Sequence, residues 1–100
     1  NERCFVTSAV LQDRRPVNML YREALDAEDI ERRFSGWSLV AGDETDEYCD
    51  DAKNWHFVSL GAVLNIDDKF RSLIDLPFTY EVEYLWNEQT KMFEEQPLAD

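Results

Sequence analysis

Three glycines and three prolines are the only strong backbone punctuation in this 100-residue chain. Gly36, Gly42 and Gly61 turn freely, and Pro16, Pro77 and Pro97 impose fixed breaks. Connections must therefore be short, with each element following closely on the last. No repeat, low-complexity tract or compositional shift divides the chain, and its length suits one domain. Hydrophobic residues make up 44%, enough to build a core. We expect a single domain over 1–100, with a core at about 3–94 and a frayed tail at 95–100.

Local patterns give a coarse order of elements. Cys4–Ser8 reads as a first strand, Val17–Glu23 as a second, and the polar Gln12–Pro16 between them as a hairpin turn. Asp26 and Asp29 form a reciprocal capping pair for a helix, with Ala27, Ile30 and Phe34 on its inner face and Ser35-Gly36 at its end. Trp37–Ala41 and Trp55–Leu60 read as further strands, and Gly61–Asn65 as a short helical turn. Asp67 caps another helix with Ile66, Phe70, Leu73 and Ile74 on one face, which Pro77 stops. Thr79–Trp86 alternates most clearly, and Lys91–Glu94 returns after a tight loop. Two hairpins without a strict βαβ rhythm predict an α+β fold. The sheet is mainly antiparallel, with two to three short helices packed on one face.

Charge excludes whole classes of function. Twenty-two acids against ten bases give a net charge of −12, with a pI of about 4.3. Nucleic-acid binding needs a basic face, and docking on anionic membrane needs the same. A basic partner, a cation or solubility alone remains. No run approaches the ~20 apolar residues of a membrane span. No charged stretch followed by an apolar run precedes Cys4, so no secretory leader is expected within the sequence. Cys4 and Cys49 form no C-x-x-C pair and read as reduced thiols in a cytoplasmic protein.

The search for reaction chemistry finds little. Nucleophile elbows and phosphate-cradling glycine loops are absent. Cys4 with His56 would make a thiol–imidazole pair, but a buried strand cysteine is the simpler reading. Glu81 and Glu83 lie two residues apart on a strand, resembling a glycosidase pair but also the solvent face of a sheet. No enzyme activity, metal or cofactor is expected.

The segment Asp43–Asp51 contains six acids and no base. Asp43 reads as a helix N-cap, with Tyr48 and Cys49 turned inward. It lacks the central glycine and alternating ligands of an EF-hand loop. A solvated helix face and a surface for Lys- and Arg-rich partners both remain open. Like charges repel, so the segment costs stability unless capping or a partner offsets it. On this ground Asp43, Glu44, Asp46, Glu47, Asp50 and Asp51 are the candidate partner-binding acids, with Trp55 as their apolar anchor. Arg22 is expected to pair with Glu44 or Glu47, Gly36 to end a helix, and Trp37 and Tyr48 to point into the core.

Several of these residues occur in a recognisable order. Cys4-Phe5-Val6-Thr7-Ser8, Tyr21-Arg22-Glu23, Ser35-Gly36-Trp37 and Gly42-Asp43-Glu44 are followed by Asp46-Glu47-Tyr48, Asn54, Leu73 and Pro77. The series resembles the immunity protein thirty-three family of bacterial polymorphic toxin systems, over roughly residues 4–82. The resemblance implies a cytoplasmic antidote that binds and blocks a cognate protein toxin. The acidic charge suits a basic, nuclease-like toxin, met by a monomer or weak dimer. The alternative is an acidic small-ligand or divalent-cation binding module using Asp43, Glu44 and Glu47. A hydrolase using Glu81 and Glu83 ranks below both.

Overall fold

The computed structural model describes residues 2–96. Seven consecutive buried residues, Phe34–Val40, form the interior strand β3. An apolar run without polar alternation fits a strand covered on both faces. Beside it lie β1 (Arg3–Thr7), β2 (Met19–Arg22), β4 (Trp55–Ser59), β5 (Val82–Asn87) and β6 (Met92–Gln96), in the order β4-β1-β3-β2-β5-β6. Among the described residues only β1 and β3 run parallel; the other four pairings are antiparallel. Five short helices among the described residues complete an α+β domain: α1 (Ser8–Leu11), α2 (Ala27–Glu31), α3 (Asp46–Asp50), α4 (Leu60–Leu64) and α5 (Arg71–Ile74).

The two faces of the sheet differ. Cys4, Val6, Leu20, Trp37 and Leu39 point to one side, where Ala9 and Val10 of α1, Val63 of α4 and Phe70 close the core. Leu73 and Ile74 of α5 pack against its margin. On the other side Phe5, Phe34 and Phe57 form an aromatic cluster with ring centroids 5.0–5.9 Å apart. Arg3 and Arg32 lie over Phe57, at 5.7 and 5.4 Å.

The expected first hairpin is not formed. Ser8 leaves the strand to start α1, and β3 lies between β1 and β2. The short polar turn was a poor guide because Ala9 and Val10 bury themselves before it begins. The capping box of Asp26 and Asp29 is present. Its helix, however, buries nothing, and Ile30 is 64% exposed. Arg33 ends it with φ +62°, so Ser35 and Gly36 lie inside β3 rather than at a helix end.

There the register slips: Arg3 pairs with Phe34, but Phe5 pairs with Ser38. Two residues of β1 thus face four of β3, a bulge that Gly36 absorbs at φ +91°. The Ser35 hydroxyl donates to the Arg3 carbonyl at 2.8 Å and accepts from the Trp37 N–H at 3.2 Å. A side chain on Gly36 would meet the Glu23 carbonyl at 2.7 Å. The Ser-Gly-Trp sequence is therefore a bulge that delivers Trp37, 1% exposed, to the core.

Asp67 also departs from expectation. It caps no helix; its carboxylate accepts from the Val17 and Lys69 N–H groups, and α5 starts only at Arg71. The last hairpin forms as expected, although β5 begins at Val82 rather than Thr79. Gln96 pairs with Glu83 in β6, so the sheet extends into the expected tail, whose residues 97–100 lie outside those described.

Candidate functional site

Gly42, at φ +109°, turns the chain out of β3 into the acidic segment. Capping then falls to Thr45, not Asp43: the Thr45 hydroxyl accepts from the Tyr48 N–H at 3.1 Å and opens α3. Asp43 instead meets Arg15 at 2.6 Å on the surface, and this pair holds its carboxyl below the usual range. Glu44 folds inward. Its carboxylate accepts from the buried Thr7 hydroxyl at 2.7 Å, the Ala41 N–H at 2.9 Å and the Gly42 N–H at 2.8 Å. Burial pushes its carboxyl up, but these three donors outweigh that and hold it low.

The six acids thus divide by role. Asp43 and Glu44 serve the scaffold, and Asp51 accepts from the Lys53 N–H to open a 3-10 turn over Ala52–Asn54. Asp46, Glu47 and Asp50 stay exposed, with no ion pair among the described residues.

Inward contacts fix α3 in place. The Tyr48 hydroxyl accepts from the Ala9 N–H at 3.0 Å, and Asn54 donates to the Tyr48 carbonyl at 2.9 Å. The Trp55 indole donates to the Cys49 carbonyl at 2.8 Å. Trp55 therefore stands against the helix. Asp50 and Trp55 line one open groove of about 560 Å³, with Phe5, Tyr21, Cys49 and Phe57 as its walls and floor.

Arg22 lies elsewhere. It neither pairs with Glu44 or Glu47 nor faces solvent alone. Its Nη1 donates to the Leu76 carbonyl at 2.6 Å, and its Cζ lies 5.1 Å from the Trp37 ring. The expected ion pair fails because Arg22 shares the core face with Leu20 and pairs with Trp37, at the end of β2 remote from α3.

The remaining chemistry-bearing residues do not assemble. Cys4 is fully buried, and burial pushes its thiol up to about 12. The His56 ring lies 2.7 Å from the Ser8 hydroxyl, and His56 pairs in register with Val6, whereas Cys4 pairs with Val58. Glu81 accepts from the Ala24 N–H outside the strand, while Glu83 stands opposite Tyr21 on the outer face. Among the described residues no three His, Cys, Asp or Glu side chains are grouped to hold a metal ion.

Reading from sequence missed the groove walls. Phe5, Tyr21 and Phe57 oppose the core-facing set, and the available signal was that Cys4-Phe5-Val6 is apolar on both sides of its strand.

A family model described as Immunity protein Imm33 domain matches residues 4–96. No curated protein and no solved structure matches the chain.

Proposed function

The chain belongs to the Imm33 immunity protein family, and on that premise we propose that it is a cytoplasmic antidote which neutralises a cognate toxin by stoichiometric binding. The observation that carries the surface is the meeting of Asp50 and Trp55 in one groove beneath α3. A partly buried indole beside the unpaired Asp50 carboxylate supplies both elements of an electrostatically steered interface. Charge speeds encounter, and the aromatic ring supplies a desolvated anchor. Asp46, Glu47 and Asp50 are the acids free to meet a partner, with Asp51 at their edge. Asp43 and Glu44 hold the segment in shape.

A net charge of −12 favours a toxin with a basic face, such as a nuclease whose cleft attracts phosphate. No helix among the described residues is long and apolar enough to cross a membrane. The inhibitor needs no reaction of its own, since occupation of the toxin is sufficient.

The test neutralises Asp46, Glu47 and Asp50 to Asn, Gln and Asn, with Trp55→Ala as a separate variant. Binding to the cognate toxin is followed by stopped flow across a salt series. The triple variant should associate about tenfold more slowly at low salt and lose most of its salt dependence. Trp55→Ala should instead speed dissociation by about tenfold or more. Unchanged association and dissociation with both proteins folded would remove this surface. Failure of co-expression to rescue growth would remove the antidote reading itself.

A further inference from the structure

A second cavity, of about 250 Å³, lies at the opposite end of β2 and β3 from α3. Trp37, Phe78, Tyr80 and Tyr84 wall it, and Arg22 lies between two of them, its Cζ 5.1 Å from the Trp37 ring and 5.7 Å from the Phe78 ring. Arg22 makes no ion pair among the described residues, and its Nη1 is spent on the Leu76 carbonyl. Two further donors are buried without any acceptor, Arg22 Nε and Trp37 Nε1. Trp37 as a whole is 1% exposed. Buried N–H groups are nearly always paired, so two unmet donors on adjacent side chains ask for a shared acceptor.

The demand is chemically specific. Both unmet atoms are donors, one belongs to a full positive charge, and the walls are aromatic. We propose that this cavity binds a monocarboxylate carrying a flat or branched apolar body. Its carboxylate would accept from Arg22 and Trp37, and its apolar body would lie against Phe78, Tyr80 and Tyr84. Glu95 argues against dianions such as phosphate esters. It is held at the rim by the Tyr80 hydroxyl, 3.0–3.1 Å away, and would repel a second negative charge. Entry requires the segment Leu76–Tyr80 to swing outward, because the two nitrogens lie below the surface. That segment has no regular secondary structure, and its Leu76, Phe78 and Tyr80 side chains are 42–56% exposed.

The proposal is independent of the α3 surface. The Trp37 indole N–H is its reporter in nitrogen-15 spectra, assigned by elimination with Trp55→Phe and Trp86→Phe. Phenylacetate is the probe, with its methyl ester and phenethylamine as controls on the unaltered protein. The Trp37 signal should move saturably with millimolar phenylacetate, while the ester and the amine bind about tenfold more weakly or worse. Arg22→Gln, where it folds, should abolish the response, and the ester comparison carries the test where it does not. Addition of the cognate toxin separates the sources. A Trp37 signal that toxin moves as phenylacetate does, and that then stops responding, assigns the carboxylate to a C-terminal apolar residue of the toxin, and one that still responds assigns it to a free acid. An immobile Trp37 signal, or equal binding of acid and ester, would mean that water alone meets these donors and would overturn the site, leaving the α3 surface untouched.

Discussion

Replacing Glu44 with alanine removes one acceptor from three donors at once. The Thr7 hydroxyl is fully buried and has no access to water in exchange, and the Ala41 N–H is part-buried beside it. Hydrogen bonds to a charged group contribute ~1.5–3 kcal/mol each, and a buried donor left unmet costs ~1–3 kcal/mol. These contributions overlap, and the exposed Gly42 N–H can rehydrate, so about 3 kcal/mol is expected for Glu44→Ala. In a domain of this size that corresponds to roughly 12–24 °C in melting temperature. Urea unfolding followed by tryptophan fluorescence measures it, with Glu47→Ala, an exposed acid of the same segment, as control at about 0.5 kcal/mol or less. Thr7→Val should lessen the further damage done by Glu44→Ala, since the buried hydroxyl then no longer lacks an acceptor. The pH dependence has a definite sign. The carboxyl is held low in the folded chain, so its contribution is complete above the unfolded value of ~4.3 and disappears as pH falls through the folded value. The gap between the unaltered protein and Glu44→Gln should therefore be constant at neutral pH and close only in acid. Equal losses for Glu44→Ala and Glu47→Ala would refute the assignment of Glu44 to the scaffold.

Two further outcomes follow from the backbone and the thiols. Gly36→Ala should cost about 2 kcal/mol or more, from a strained φ and the Glu23 carbonyl 2.7 Å from the new carbon. Gly61→Ala, with nothing within 4 Å and a helical backbone, should be neutral or stabilise by roughly 0.5–1 kcal/mol; paired thermal melts test both. Mild alkylation at pH 8 should modify Cys49 while sparing Cys4 until denaturant is added, since burial raises the Cys4 thiol to about 12 and denies access to reagent. Prompt labelling of both by mass spectrometry would contradict the core placement of Cys4.

Legibility in the sequence followed the range of the forces involved. The Asp26–Asp29 capping box and the final hairpin were readable because each closes within a few residues. The α+β class followed from interspersed strand and helix patterns. What failed was set by distant contacts. Nothing near Ser8 announces that β3 will enter beside β1, and nothing near Gly36 reveals that Arg3 and Phe5 impose the bulge. The acidic segment shows both cases. Its extent and its neighbour Trp55 were evident, but the division of labour was not. Glu44 turns inward because Thr7, thirty-seven residues away, offers a hydroxyl. Arg22 was misassigned for the same reason, since the Leu76 carbonyl that holds it lies fifty-four residues on.

The strand order also carries a timetable. β1 is translated first, yet it bonds only to β3, which ends at Val40, and to β4, which ends at Ser59. At ~5–20 residues per second, the ribosome needs roughly 3–10 s to pass from the end of β1 to the end of β4. During that interval Cys4-Phe5-Val6 has no complete berth and stands as an apolar segment awaiting both neighbours. β5 and β6 then close the far edge last. The antidote proposed above would thus become competent only once all six strands have emerged, so a cell making toxin and inhibitor together would depend on translating this chain ahead of the toxin or more often.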